Sequence, residues 1–485
     1  MKVILSGYNL DSDTIEEMKK KSGWEKDNVS PETLSAAYAR ISRDPRDIDV
    51  LRKIAREEVE KSRKSNQAII FGLGHSSVAE HAYFNFDIIG LSRLAVEYVQ
   101  KFRFASYTEK SQRYITLDDD YILPEEIKEA GFESEFNEVV RYQNQVYQEL
   151  YLALQDYLFK IYPDVIKTKN GKRTVDGWAK EDARYVVSMA TESQFGMSIN
   201  ARSLENMLRE FGSSQLVEIR ELGERLYELV KDLSPSIIKY IEPTDYDIKN
   251  PVELQNIAIK KCFTPEINQG DRDVTLLNIT PDTDNVILTV ILSSQTGMSY
   301  ENCKRSVKEM SYQEKEVLIK TALNYRMSYD SVSRYFEFAD ALFEINISST
   351  NYAQLKRHRI ASMITHPYNV DLGITLPPNI EKIERTDIFN AVIERTEKFY
   401  YKLKQALPDH AQYILTNAHK RKILVKMNFR ELYHFMSLRL DQHAQWDIRK
   451  TAEDMKEELI KTAPLTSMMM CGKSEFDDHK KIVFD

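Results

Sequence analysis

The alternation of apolar and polar positions predicts both strands and helices in the first half of the chain. Residues 1–8 are apolar at their centre, and residues 82–88 alternate polar with apolar or aromatic side chains, which is typical of strands. Residues 92–102 have helical spacing, and residues 133–162 have the spacing of a long amphipathic helix that stops before a proline. Further helices are expected over residues 47–62, 182–189 and 199–233.

The same order of elements then restarts. Residues 234–251 are rich in proline and polar side chains and form a candidate linker. After it, residues 274–279 repeat the opening strand and residues 386–407 repeat the long helix. Motifs that recur in the same order predict a tandem duplication.

The duplication sets the expected fold class and domain boundaries. We expect an α/β (α+β) protein of two homologous domains, each a small sheet packed with several long helices. The first domain would cover residues 1–245 and the second residues 246–485. Two similar domains in one chain would most simply pack as a pseudo-symmetric pair.

Composition and charge place the chain among ordinary soluble proteins and narrow its partners. It has 42% hydrophobic and 29% charged residues, with no apolar run long enough to span a membrane and no signal-peptide core. Its three cysteines, Cys262, Cys303 and Cys471, lack metal-binding spacing and fit a reducing cytoplasm. A net charge of −8 disfavours binding to a nucleic-acid polymer, but it allows a local basic pocket for a small anion.

The strongest chemical signal is the run of residues 354–362, Gln-Leu-Lys-Arg-His-Arg-Ile-Ala-Ser. Guanidinium groups grip phosphate or carboxylate bidentately, and an imidazole can donate or accept a hydrogen bond. Such a run, taken alone, equally describes a solvated basic patch on a helix. A second copy of similar shape at residues 101–106, Lys-Phe-Arg-Phe-Ala-Ser, favours a functional role.

A metal site is the other chemistry to weigh, at His75, Glu80 and His81. Their spacing does not place two histidines one helical turn apart, and the segment has the pattern of a turn entering a strand. We therefore predict no metal ligands.

These motifs together resemble the flavin-dependent thymidylate synthases. The signature of that family is Arg-His-Arg, seven residues, then Ser and shortly afterwards Arg. The family also carries a His-x-Ser/Thr-x-x-Glu-His stretch upstream and a downstream segment with Asn-x-Arg, Leu-Arg and His-Ala-Gln-Trp. In the second half, residues 354–362 match the first part of the signature, and residues 428–430 (Asn-Phe-Arg) and 438–446 (Leu-Arg-Leu-Asp-Gln-His-Ala-Gln-Trp) match the downstream segment. In the first half, residues 75–81 (His-Ser-Ser-Val-Ala-Glu-His) match the upstream stretch, and residues 106–114 match the end of the signature.

Each half departs from the family where the other half matches. The first half has Lys-Phe-Arg at 101–103 in place of Arg-His-Arg, and Tyr98 in place of Gln. The second half has Pro367 in place of the signature Ser and Asn369 in place of its Arg.

Five more positions of the first half have changed counterparts in the second. Thr365 stands where Glu109 does, and Gln412 stands where Arg184 does. Alignment of the Tyr-Phe pairs at 83–84 and 335–336 places Met327, Val332 and Ser333 opposite His75, Glu80 and His81.

The resemblance therefore implies one composite active site shared between the two domains. The expected catalytic residues are Gln354, Arg357 and Arg439. The expected substrate-binding residues are Glu109, Ser111, Gln112, Arg113, Arg184, Gln354, Arg357 and Arg439. The expected cofactor-binding residues are His75, Ser77, Glu80, Arg357, His358, Arg359, Asn428, His434 and His443.

The activity implied by the resemblance is the reductive methylation of dUMP to dTMP. Methylenetetrahydrofolate would supply the carbon, and FAD reduced by NADPH would supply the hydride. A homodimer would then mimic the tetramer of the family. Two other functions stay open: a non-catalytic nucleotide-binding or scaffold relative, and a flavoenzyme that acts on a different pyrimidine nucleotide.

Overall fold

The computed structural model describes residues 1–20, 30–41, 44–113, 120–262 and 272–485. Within them the chain forms two four-stranded sheets. The strands are β1 Lys2–Tyr8, β2 Tyr83–Ser92, β3 Ala105–Glu109, β4 Glu192–Asn200, β5 Val274–Ile279, β6 Asp340–Ser348, β7 Ser362–Tyr368 and β8 Lys420–Asn428. No helix of the described part of the chain has the length and apolar character needed to cross a membrane.

Helices make up most of the remaining described structure. Those before residue 262 are α1 Ser12–Lys20, α2 Glu32–Arg40, α3 Ile48–Glu57, α4 Val59–Gln67, α5 Arg93–Gln100, α6 Glu125–Glu129, α7 Glu133–Ile161, α8 Lys169–Ala183, α9 Ala201–Gly212, α10 Val217–Val230 and α11 Asp245–Lys261. Those after residue 272 are α12 Thr283–Thr296, α13 Tyr300–Glu309, α14 Tyr312–Leu323, α15 Ser349–Leu355, α16 Pro378–Lys382, α17 Thr386–Ala406, α18 Phe429–Arg439, α19 Trp446–Thr462, α20 Pro464–Ser467 and α21 Phe476–Phe484.

The two sheets have the same topology. Their strand orders are β1-β2-β4-β3 and β5-β6-β8-β7, and every neighbouring pair is antiparallel. Corresponding registers match, since Tyr83 pairs with Asn200 and Asp340 pairs with Asn428. The predicted fold class, with two similar sheet-and-helix assemblies, is confirmed.

Compactness divides the chain differently from the sequence repeat. The first compact unit contains residues 1–145, 187–265 and 394–414, and the second contains residues 146–186, 266–393 and 415–485. Each unit therefore includes one segment from the opposite half of the sequence. The boundary predicted near residue 245 separates the two copies of the sequence repeat, whereas this division separates the parts of the chain that pack together in space.

A buried carboxylate at the start of a helix organises the first unit. Glu218, the second residue of α10, accepts hydrogen bonds from the backbone N–H and the hydroxyl of Ser92, both at 2.7 Å. It also accepts one from the hydroxyl of Tyr413 at 2.8 Å. Burial raises the pKa of Glu218, and these hydrogen bonds oppose that rise.

The second unit uses the same device. Asp447, the second residue of α19, accepts from Ser348 Oγ at 2.6 Å, Asn351 Nδ2 at 2.9 Å and Tyr185 Oη at 2.9 Å. A helix N-terminus also favours a negative charge. In both units the tyrosine lies on the segment contributed by the other sequence half, so these hydrogen bonds anchor the exchanged segments.

Three helix predictions are wrong in detail. The predicted helix over 199–233 is two helices, α9 and α10, and its first two residues belong to β4. Of the predicted helix over 182–189, only the first two residues are α-helical, as the end of α8, and Arg184–Val186 form a single 3-10 turn. The carbonyls of Arg184 and Tyr185 accept hydrogen bonds from Asn417 Nδ2 and Ala418 N instead of continuing a helix. The predicted helix over 47–62 is two helices, α3 and α4, since Glu58 has φ −119° and ψ 57°, outside the helical region.

The tyrosine bond in the first unit yields a stability prediction. Tyr413→Phe should lower the free energy of unfolding by about 1–2 kcal/mol, because it removes one donor from a buried carboxylate. Urea unfolding followed by circular dichroism measures the change. Tyr325→Phe is the control, since Tyr325 is 90% exposed and should change stability by under about 0.5 kcal/mol. Equal stability of the two variants would contradict this role of Glu218.

Candidate functional site

The Arg-His-Arg run lies at a sharp corner of the second unit, between α15 and β7. Ser348 caps α15 by accepting from Asn351 N at 3.0 Å, and the helix ends at Leu355. His358 N then donates to Leu355 O at 3.0 Å, which turns the chain toward the strand. Arg357 is consequently exposed, whereas His358 is only 3% exposed.

His358 is held as a neutral imidazole. Arg439 Nε, which can only donate, lies 3.0 Å from His358 Nε2, so Nε2 must accept. The proton therefore sits on Nδ1, which lies 3.1 Å from Glu431 Oε1. Burial, with the Arg439 charge as a second cause, holds the pKa of His358 well below its usual value. His358 thus positions Arg439 rather than carrying charge itself.

Arg439 joins this corner to α18 and brings three predicted site residues together. Its Nη2 donates to the backbone carbonyl of Gln354 at 2.9 Å, while its Nε donates to His358. Gln354, His358 and Arg439 therefore form one hydrogen-bonded cluster in the second unit.

The side chain of Gln354 belongs to a buried chain of hydrogen bonds that the sequence analysis missed. Gln354 Nε2 donates to Gln445 Oε1 at 3.3 Å, and Gln445 Nε2 donates to Tyr185 Oη at 2.9 Å. The other side-chain atom, Gln354 Oε1, is buried and has no hydrogen-bond partner among the described residues. Gln445 stands within the matched run 438–446, and that position was its only sequence signal.

Arg357, an exposed arginine of the corner, differs from these fixed groups. Arg357 makes no hydrogen bond or ion pair within the part of the chain that the structure describes, so its guanidinium is uncommitted. Arg359 is exposed too. His434, on α18, is exposed, and its ring lies 5.6 Å from that of His358.

The remaining predicted residues of the second unit have local partners. Arg184 is 6% exposed, and its Nε lies 3.4 Å from Glu181 O. Asn428 Oδ1 accepts from Glu431 N at 2.9 Å and so caps α18. His443 is exposed and its Nδ1 lies 2.7 Å from Asp441 Oδ1.

Four predicted substrate-binding residues lie at and after the end of β3, in the first unit. Glu109 has a 6% exposed side chain, which pairs with Arg93 at 2.6 Å and accepts from Gln100 Nε2 at 3.1 Å. Ser111 Oγ accepts from Arg113 N at 3.2 Å, which forms a tight turn. Ser111, Gln112 and Arg113 are half-buried, and residues 114–119 lie outside the described part of the chain.

The predicted cofactor residues of the first unit lie on a surface turn before β2. His75, Ser77 and Glu80 are exposed, and Glu80 pairs with Arg202 at 2.6 Å. In the described ranges no three His, Cys, Asp or Glu side chains are grouped so that they could hold a metal ion.

The structure corrects the alignment of this turn with the second half. Asn200 and Asn428 pair with the first residues of β2 and β6, which places Glu337 opposite Glu80. The Glu337–Arg430 ion pair at 2.8 Å repeats the Glu80–Arg202 pair. The alignment of Met327, Val332 and Ser333 with His75, Glu80 and His81 is therefore wrong by five positions, because Tyr335 and Phe336 lie in the turn before the strand.

The first unit has an apolar version of the Arg-His-Arg cluster. Phe102 and Phe211 take the places of His358 and Arg439, and their rings pack edge to face at 5.7 Å. Lys101, in the place of Arg357, forms an ion pair with Glu210. Where the second unit has a hydrogen bond between His358 and Arg439, the first unit therefore has an apolar packing contact between two phenylalanine rings.

Asp182 adds a titratable group to the second unit. Its Oδ1 accepts from Trp446 Nε1 and its Oδ2 from Asn379 Nδ2, both at 2.8 Å. Burial raises the pKa of Asp182 to about 6, against these two hydrogen bonds. The Trp446 ring stacks on Tyr185 with centroids 5.6 Å apart.

This carboxyl yields a pH prediction. The folded chain keeps the Asp182 proton up to about pH 6, whereas an unfolded aspartate loses it near 3.8. The stabilising contribution of this group is therefore complete below that unfolded value and lost as the pH rises through 6. In a Trp24→Phe, Trp178→Phe background, Trp446 fluorescence should change with a midpoint near pH 6. Asp182→Asn should remove that change, and a midpoint below 4.5 would contradict the raised pKa.

The sequence of this chain is similar to one protein family and to several named proteins. The chain matches the family described as thymidylate synthase complementing protein (Thy1) over residues 26–236 and again over residues 275–465. It is 24% identical over 427 residues to a UPF0159 protein of Chlamydia muridarum (strain MoPn / Nigg), covering 84% of this chain and 80% of that protein.

Two further similarities involve about half of this chain. One is to a flavin-dependent thymidylate synthase of Clostridium tetani (strain Massachusetts / E88), 31% identical over 219 residues, which are 44% of this chain and 84% of that protein. The other is to a crystal structure of thymidylate synthase X from Helicobacter pylori with FAD and dUMP. It is 21% identical and covers 49% of this chain and 100% of that chain, with a TM-score of 0.29.

The family match confirms the resemblance drawn from the motifs. It covers each sequence half once and more than half of the 485 residues in total. This chain is therefore a member of the flavin-dependent thymidylate synthase family, matched twice along its length.

Proposed function

We propose that this protein is an FAD-dependent thymidylate synthase. It converts dUMP to dTMP with methylenetetrahydrofolate as the carbon donor and NADPH as the reductant. Family membership and the curated relative of that name support this activity. The protein would act as a homodimer.

One observation carries the proposal: Arg357 is exposed and uncommitted beside a rigidly held polar cluster. The buried contact of His358 with Arg439 fixes the backbone of the corner, so Arg357 starts from a defined position. A guanidinium placed in this way can stabilise negative charge that develops on a pyrimidine carbonyl during attack. The first unit has no equivalent, because Lys101 is paired with Glu210.

The residues around the corner fit an anionic cofactor such as FAD. Arg357, Arg359 and His434 are exposed on adjoining segments of the second unit and offer donors to a diphosphate or ribityl chain. FAD, when bound, supplies the hydride chemistry. These exposed residues would hold and orient the cofactor, and the buried hydrogen bond of His358 with Arg439 would fix the corner that carries them.

The nucleotide phosphate needs convergent cations and hydroxyl or backbone donors. We assign this task to Ser111, Gln112 and Arg113, together with Arg184. Each chain would thus carry one working set of site residues, drawn from both sequence halves. The paired replacement of His358 and Arg439 by Phe102 and Phe211 supports a single set, because the first copy has lost its polar cluster.

Arginine substitutions test the proposal against a matched control. Arg357→Ala and Arg113→Ala should each lower kcat/KM for dTMP formation by about a hundredfold or more, because each removes a charged ligand contact. Lys101→Ala, at the equivalent place in the first unit, should stay within about twofold of the wild type, since an exposed ion pair contributes little.

The assay follows dTMP formed from dUMP with methylenetetrahydrofolate, NADPH and FAD. Full activity of Arg113→Ala would contradict the phosphate-binding role assigned to Arg113. Bound flavin without any dTMP would favour a flavoenzyme for another pyrimidine nucleotide, and the absence of both would favour a non-catalytic relative.

A further inference from the structure

The buried chain of hydrogen bonds behind Gln354 has a direction. Asp447, as a carboxylate, only accepts, and three donors point at it. The single hydroxyl proton of Tyr185 must therefore point at Asp447, so the lone pairs of Tyr185 Oη face the next group. That group is Gln445 Nε2, at 2.9 Å.

The direction of this first hydrogen bond fixes the direction of the next two, as far as Gln354. Because the amide nitrogen of Gln445 donates to Tyr185, the amide oxygen of Gln445 faces Gln354. Gln354 must therefore donate to that oxygen from Nε2. Gln354 is thereby left with Oε1 as its one remaining polar side-chain atom, buried and without a partner among the described residues. A buried amide oxygen in that state can be satisfied only by a donor.

The geometry points to Asp447, Tyr185 and Gln445 as a positioning relay that fixes Gln354 as a hydrogen-bond acceptor in nucleotide recognition. This inference rests on the proposed function for the identity of the nucleotide. The ligand group at Gln354 is then an N–H or O–H, not a phosphate oxygen. The proposed substrate, dUMP, offers two such groups, the imide N3–H of uracil and the 3′-hydroxyl of the sugar.

The first unit keeps the carboxylate and the tyrosine of this relay but lacks its two glutamines. Glu218 binds the hydroxyl of Tyr413 at 2.8 Å, as Asp447 binds that of Tyr185. The position of Gln445, just before the helix, is held there by Leu216, which is 2% exposed. Because a leucine side chain can neither donate nor accept a hydrogen bond, the series of hydrogen bonds stops there. Tyr98 stands in the place of Gln354. The extension to a ligand-facing amide thus belongs to the copy that also keeps the Arg-His-Arg corner.

Nucleotide binding to the FAD-loaded full-length protein tests the relay. Isothermal titration gives dissociation constants for dUMP, for dCMP, which lacks the imide proton, and for 2′,3′-dideoxyuridine monophosphate, which lacks the hydroxyl. The analogue without the recognised donor should bind at least about tenfold more weakly than dUMP, since an unsatisfied buried acceptor is costly. The weaker analogue identifies the donor.

Variants then separate positioning from stability. Gln445→Leu installs the residue of the first unit and frees the Gln354 amide to turn over, so the preference for dUMP over that analogue should fall by about tenfold. Tyr185→Phe should have the same effect and serves as the second variant. Tyr413→Phe removes the matching hydroxyl of the first unit and should leave the preference unchanged.

The outcomes are distinct. Equal binding of all three nucleotides to the wild type would overturn the inference. So would an unchanged preference in folded Gln445→Leu or Tyr185→Phe protein, which would mean that the relay only stabilises the fold. A preference that depends on Gln445 in a protein that forms no dTMP would support the relay and contradict the proposed activity.

Discussion

The second unit depends on one buried carboxylate, Asp447. Its charge is stabilised by a hydroxyl, an amide and a phenol, all directed at the first turn of α19. Ser348 and Asn351 thereby fix the start of α15, the helix that ends at the Arg-His-Arg corner. Tyr185 anchors a segment from the other half of the sequence. One desolvated charge therefore sets the position of the elements that present Gln354 and Arg357.

Comparison of the two units separates what the fold needs from what the chemistry needs. Both keep a carboxylate at the second helix position, a serine at the end of the central strand and a buried tyrosine. They differ at the positions that face the corner: Gln445 against Leu216, His358 against Phe102, and Arg439 against Phe211. These three replacements indicate that the first unit has lost one polar cluster while keeping the carboxylate, the serine and the tyrosine of its frame.

Sequence patterns predicted β1, β2, β5 and the long helices because their periodicity is local, whereas the remaining strands were not predicted. They also located the Arg-His-Arg corner, since its residues are contiguous. They could not show that His358 is buried, because its environment comes from Glu431 and Arg439 on another helix. The position of Glu337 was missed because strand register depends on non-local pairing, whereas the Tyr-Phe pairs are alike only locally.

Flavin stoichiometry tests the central claim most directly, that each chain carries one working set of site residues. Purified protein is saturated with FAD, freed of excess cofactor, and its bound flavin is quantified per chain from the visible spectrum before and after anaerobic NADPH. The account predicts one flavin per chain, bleached by NADPH. Two flavins per chain would show that the apolar copy still binds cofactor and would contradict the single set, and the absence of bound flavin would contradict the proposed enzyme.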